Sequence, residues 1–261
     1  MVLAYYYHKL PANKVSHPFY VLVPLLLIII PAFIVFRQPD LGTALVIIII
    51  GIFVMFIAGV HFGYFLFGGL SFFTLLFVLF QSRGTDWQLL KDYHFRRIDT
   101  FLDPSADPLG AAYHITQSKI ALGSGGLFGR GYMQGSQSQL NFLPEKHTDF
   151  IFTTLAEEFG FFGVLILVGT YCFIIFRILS LSWSYLNKKD FFSGFFLLGI
   201  GTLFAGQTFI NLGVNSGLLP TKGLTLPFLS YGGNSLLVSC IMLGIVLRLA
   251  SDMRESKEVG K

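Results

Sequence analysis

Four ionisable side chains crowd into the run Phe142-Leu-Pro-Glu-Lys-His-Thr-Asp-Phe-Ile151: Glu145, Lys146, His147 and Asp149. A long apolar segment follows at once, so the cluster stands where a polar loop enters a membrane helix. A carboxylate held at that edge can take a proton from a hydroxyl of a lipid-linked substrate. The plainer alternative is that Thr148 or Asp149 caps the helix N-terminus, with Asp149 favoured by the helix dipole. Upstream lie the cations Arg96, Arg97, Lys119 and Arg130. One base and several cations suit transfer of a sugar from a pyrophosphate-linked lipid. The acceptor hydroxyl needs a base, and the pyrophosphate leaves as an anion that needs cations or a metal more than a general acid. A glycoside hydrolase would need two facing carboxylates instead. Asp149 is the candidate base. Each arginine, taken singly, reads first as a solvated or headgroup contact.

Other features add to this inventory. The run Gly123-Ser-Gly-Gly-Leu-Phe-Gly-Arg-Gly131 lets backbone N–H groups approach an anion. It matches no Walker or dinucleotide spacing, and a plain flexible loop is the alternative. Residues Ala112 to Ala121 read as a short amphipathic helix lying at the interface. A second loop, Asn215 to Tyr231, holds two prolines and several glycines that forbid a continuous helix. Irregular backbone near a membrane must be buried in protein or line a cavity, so a re-entrant segment over about 214–231 is expected to wall the same cavity. An ordinary extracellular turn is the alternative. Lys222 in this loop is placed to meet a phosphate. Glu157 and Glu158 lie two turns into the span after Asp149, where carboxylates usually face a polar cavity or a partner. Asp40, in a short turn between two spans, is open to the same two readings.

The elements that must position these residues follow from composition. Of the 261 residues, 54% are hydrophobic, 12% are charged and 30 are Phe. Several apolar stretches are long enough to cross a hydrocarbon core. The chain therefore reads as an all-α polytopic membrane helix bundle. Six spans are expected, near Phe19–Phe36, Leu41–Val60, Phe62–Phe80, Ile151–Ile178, Phe191–Gly213 and Gly232–Ala250. Three spans fill 18–80, a large extracytoplasmic loop fills 81–150, three more spans fill 151–250, and 251–261 is a tail. Lys9 and Lys14, then Arg177, Lys188 and Lys189, then Arg248, Arg254, Lys257 and Lys261 fall on one side of this alternation. The positive-inside rule makes that side the cytoplasm, with both termini there. The net charge of +4 comes with no Lys/Arg block that tracks a phosphate backbone, which argues against a nucleic-acid partner. Cys172 and Cys240 lie in apolar segments and read as small helix residues. No cleavable signal peptide is visible.

Three stretches resemble the SEDS family of membrane proteins of bacterial cell-wall synthesis. They are Arg37-Gln-Pro-Asp-Leu-Gly-Thr43, the region from Phe101-Leu-Asp-Pro104 through Glu158, and Gly217-Leu-Leu-Pro220 through Ser235. The run from Ile115 to Gly126 is more similar to the rod-shape branch, RodA, than to the division branch, FtsW. The resemblance implies a peptidoglycan glycosyltransferase of the bacterial inner membrane. It would polymerise lipid II into glycan strands during cell elongation and release undecaprenyl diphosphate, with a divalent cation (Mg or Mn) and no organic cofactor. The implied partners are a class B penicillin-binding protein, which cross-links the strands, and elongation-complex membrane proteins. The family's essential acid in its His-Thr-Asp motif matches Asp149. Glu145, His147 and Lys119 match further family positions, and with Arg97, Arg130 and Lys222 they form the candidate substrate-binding set. The metal ligands stay unassigned.

The chain departs from the family at Asn141, where relatives often carry glutamate. It also aligns only with the family's last six spans and the tail of the helix before them, and Met1–Leu10 reads as such a tail. An N-terminally truncated or reduced form is therefore expected. Two other functions compete. A flippase for the lipid-linked precursor would use charges along the spans, namely Asp40, Glu157 and Glu158. A non-catalytic scaffold or remnant would only bind the penicillin-binding protein. The loop-heavy charge inventory favours the enzyme, with a cavity open to the outer face and roofed by the long loop.

Overall fold

The structure, a computed structural model, describes residues 1–38, 40–85, 88, 95, 111–139, 147–219 and 223–258. All regular elements among these residues are helical. In chain order they are α1 (Val2–Lys9), a 3-10 turn (Ala12–Lys14), α2 (Pro18–Arg37), α3 (Leu41–Ile57), α4 (Phe62–Gln81), α5 (Ala111–Ser124), α6 (Ser136–Gln139), α7 (Ile151–Asn187), α8 (Phe191–Asn215) and α9 (Gly233–Glu258). Local chemistry sets several of the boundaries. Pro18 opens α2, where a missing N–H costs nothing. Asp40 caps α3: its carboxylate accepts from Thr43 N at 3.0 Å and from Thr43 Oγ1 at 2.6 Å. Asp190 caps α8, accepting from Ser193 N at 3.2 Å.

Five helices, α2, α4, α7, α8 and α9, are long and apolar enough to cross a membrane. The second expected span, α3, ends at Ile57 and has 17 residues, at the short limit for a crossing. The fourth expected span runs on past Ile178 to Asn187.

The axle of the bundle is α8. In its most apolar window 56% of residues are buried, against 0% for α4. Helices α1, α3, α5, α7 and α9 all pack on α8, and α2 packs on α3. Small residues let these helices approach closely, as where Gly51 meets Ile28 and Gly201 meets Leu179. One core gathers Tyr7, Ile28, Val54, Phe195 and Leu198, and a second gathers Ile178, Leu197, Ile200, Phe204 and Val246. No residue of α4 is buried against the other described residues. Cys172 and Cys240 are free and exposed on helix surfaces.

Candidate active site

Helix α7 begins at Ile151, and its cap position is Phe150, which makes no side-chain capping bond. Neither Thr148 nor Asp149 occupies the cap, so the capping alternative is set aside. Asp149 is held instead through its backbone. Its carbonyl accepts from Asn211 Nδ2 at 3.0 Å and from Asn215 Nδ2 at 2.9 Å, both at the end of α8. Asn211 Nδ2 also donates to Leu224 O at 2.7 Å, and Asn215 Nδ2 to Asn211 O at 2.8 Å. Asn215 Oδ1 accepts from Thr153 Oγ1 on α7 at 2.5 Å. Thr153 Oγ1 lies 2.6 Å from Ser118 Oγ on α5, which also donates to Asn215 O at 2.8 Å. Ser118, Thr153 and Asn215 are 0% exposed and Asn211 is 2% exposed. Buried polar groups are costly unless paired, and this network pairs all four.

The second loop closes on the same stretch. Tyr231 N donates to His147 O at 2.8 Å, Ser230 Oγ to Thr148 O at 2.7 Å, and Leu226 N to Ser230 Oγ at 2.7 Å. Tyr171 OH of α7 donates to Pro227 O behind it. Residue Gly223 passes so near that a Cβ there would stand 3.1 Å from Asp149 Oδ2. Residues 223–231 are thus a folded-back segment beside Asp149, not a free turn. Pro220 and Lys222 lie outside the described residues.

The glycine-rich run has a different role from either reading of it. Helix α7 is broken at Gly160, whose φ of 68° and ψ of −163° are accessible essentially only to glycine. The break strands backbone groups that a membrane segment must satisfy internally. The glycine run supplies the partners. Arg130 N donates to Glu157 O at 3.0 Å, Gly131 N to Glu158 O at 3.1 Å, Phe161 N to Gly126 O at 2.9 Å and Phe162 N to Leu127 O at 3.2 Å. A Cβ on Gly129 would collide with the Glu158 carbonyl, and one on Gly125 with that of Ala156. Gly125 and Gly129 serve close backbone packing, and the N–H groups of Gly125, Gly129 and Gly131 are spent on protein carbonyls.

Glu157 belongs to this repair. It is 0% exposed, and its Oε1 accepts from Gln137 N at 2.8 Å and Ser136 Oγ at 3.4 Å. Arg130 donates from NH1 to Ser136 Oγ at 2.6 Å and from Nε to Ser124 O at 3.2 Å. Its guanidinium therefore ties the loop to itself. Glu158 is also buried, at 7% exposure.

Among the other candidates, Lys119 is exposed and stretches over Gly217, where a Cβ would land on its Cε. It stands on α5 next to Ser118, at the Asn215 end of α8. His147 is exposed, with its carbonyl bound to the second loop. Arg97 and Glu145 lie outside the described residues, as do Arg96, Lys146 and Asn141. The helix expected at the interface is α5, and one face of it packs into the bundle: Ile115, Ser118 and Ala121 are buried and α5 contacts α7. The reason is Ser118, whose hydroxyl makes polar contacts only in the interior. Among the described residues no three His, Cys, Asp or Glu side chains converge as a metal site. A cleft of about 470 Å³ lined by Ser16, His61, Tyr64 and Phe67 lies at the opposite end of α3 from Leu224. It is not the expected outer cavity, whose roof is the long loop 81–150, of which 86–110 and 140–146 lie largely outside the described residues. The sequence reading missed Asn211, Asn215, Thr153 and Ser118. Their signal was present in the asparagines, a polar pair at i, i+4 on one face of an apolar helix.

Known proteins match this chain along nearly its whole length. Peptidoglycan glycosyltransferase MrdB of Escherichia coli (strain K12) is 42% identical over 227 residues, covering 87% of this chain and 59% of that protein. A protein of Buchnera aphidicola subsp. Schizaphis graminum named "Probable peptidoglycan glycosyltransferase FtsW" is 40% identical over 246 residues, covering 94% of this chain and 67% of its own length. Among solved structures, a chain from a study of polymerization and crosslinking by a peptidoglycan synthase complex aligns with a TM-score of 0.74. Identity there is 30%, over 96% of this chain and 66% of that one. Rod shape determining protein RodA of Thermus thermophilus aligns with a TM-score of 0.56 at 28% identity, over 92% and 61% of the two chains. The chain thus spans 59% of the length of the E. coli relative. Residues 1–255 match the model of the cell cycle proteins FtsW, RodA and SpoVE, and the chain belongs to that family, the SEDS membrane proteins.

Proposed function

We propose that this chain carries the catalytic end of a peptidoglycan glycosyltransferase that polymerises lipid II, with Asp149 as general base. The observation that carries the reading is the setting of Asp149. Its main chain is locked to α8, and its carboxylate is turned to the second loop, at the start of a membrane helix. In the reaction the acceptor hydroxyl oxygen attacks the anomeric carbon of the donor, and the bond from that carbon to the diphosphate breaks. The electron pair leaves with undecaprenyl diphosphate, and the hydroxyl proton passes to Asp149. Lys119, on the neighbouring α5, is a candidate for the diphosphate, together with the cations Arg97 and Lys222, and Glu145 and His147 remain candidates for other parts of the substrate. Arg130 fits this set less well, because its Nε and NH1 already serve the loop. Mg or Mn is commonly held by one or two carboxylates plus substrate phosphates. The ligands of that proposed cation stay unassigned.

The whole enzyme would sit in the bacterial inner membrane with the basic flanks in the cytoplasm. It would work in cell elongation with a class B penicillin-binding protein and other elongation-complex proteins. The similarity to a chain of a peptidoglycan synthase complex supports this partnership. The flippase alternative loses two of its carriers, since Asp40 caps α3 and Glu157 anchors a loop.

The test is lipid II polymerisation by the full-length protein paired with its penicillin-binding protein. Asp149→Asn should lower the rate by roughly 10² to 10⁴-fold, the range for loss of a general base. Lys119→Ala should cost less, because several cations share one diphosphate. A full rate in Asp149→Asn overturns the assignment.

A further inference from the structure

We propose that Asn211 and Asn215 are positioning residues for the reaction: two amides on one face of α8 that aim the Asp149 carboxylate by saturating its backbone carbonyl. The inference rests on Asp149 being the base. A base works only within hydrogen-bond reach of its proton, and a misplacement of about 1 Å can cost roughly 10²-fold. Asp149 lies ahead of α7, outside the regular helix that would otherwise hold it. A carbonyl has two lone pairs. A single donor leaves it free to swing, whereas the donors at 3.0 Å and 2.9 Å fill both. With the carbonyl fixed, only the two side-chain torsions separate the carboxylate from a rigid frame.

The amides are themselves oriented. Asn215 Oδ1 takes the Thr153 hydroxyl from α7, and the Asn211 amide also holds Leu224 O of the second loop. Ser118 brings in α5, the helix of Lys119, through Asn215 O. One buried network therefore sets the relative placement of the candidate base, a candidate diphosphate-binding lysine and the loop that passes the carboxylate.

The experiment uses the full-length protein with its penicillin-binding protein and purified lipid II as probe. The variants are Asn211→Ala and Asn215→Ala, each alone and combined with Asp149→Asn. Val214→Ala is the control: it is 2% exposed on the same helix and packs in an apolar core cluster. Each asparagine variant should lower kcat about ten- to a hundredfold with KM for lipid II unchanged. In the Asp149→Asn background it should lower the residual rate no further. Val214→Ala should lower the unfolding temperature but not kcat. If Asn215→Ala fails to accumulate, Thr153→Val keeps the packing and releases the amide, and it should give a smaller fall in kcat alone. Wild-type kcat in the asparagine variants overturns the proposal, as does an equal loss in Val214→Ala or an undiminished further loss on top of Asp149→Asn. A full rate in Asp149→Asn alone would instead overturn the assignment of the base.

Discussion

Asp149 stands just ahead of α7 and Glu157 lies inside it, and the contacts that hold the two differ. Glu157 is gripped by its carboxylate: it is 0% exposed, and its oxygen takes an N–H and a hydroxyl from α6, just after the glycine run that mends the break at Gly160. Asp149 is gripped by its main chain, through two asparagine amides, and its carboxylate is turned to the backbone of the second loop at Gly223. A buried acid in a membrane helix is thus not by itself a sign of chemistry. Where the protein consumes the carboxylate, the acid supports the fold. Where it fixes the carbonyl just ahead of a helix, the main chain sets where the acid stands.

The comparison breaks most directly on rate. Asp149→Asn should cost roughly 10² to 10⁴-fold in polymerisation, whereas Glu157→Gln, which keeps an acceptor oxygen for Gln137 N and Ser136 Oγ, should leave the rate near wild type. Equal losses in the two variants, measured with the full-length protein, would remove the distinction. The mended helix can be attacked from its other side. Gly129→Ala combines a φ of 82° with a collision against the Glu158 carbonyl. It should destabilise by more than about 1 kcal/mol, read as a drop in unfolding temperature of the detergent-solubilised protein. Glu157→Ala leaves the Gln137 N–H without its acceptor and should cost about 1–3 kcal/mol in the same assay. Asp40→Ala sharpens the contrast at the small end. It removes a helix cap and should cost about 1 kcal/mol with no effect on the chemistry. A large rate loss there would return Asp40 to the functional candidates.

Much of this molecule is written locally. The apolar runs announce helices of membrane length, Pro18 and Asp40 mark where two of them start, and the polar run before Ile151 places Asp149 at a helix mouth. These features depend on neighbours in the chain: hydrophobic length, a fixed φ, a side chain within reach of the next turn. For the same reason the sequence carried the family resemblance and the choice of Asp149. It could not say what the glycine run was for, because the answer is a break in another helix. Nor could it say that one face of α5 packs against α7, or that Asn211 and Asn215 meet the Asp149 carbonyl across sequence separations of 62 and 66 residues. An asparagine in an apolar span reports only that a polar group needs a partner. Which partner it finds is decided when α8 packs between α5, α7 and the returning loop, because only that packing brings its amide within 3.0 Å of one particular carbonyl.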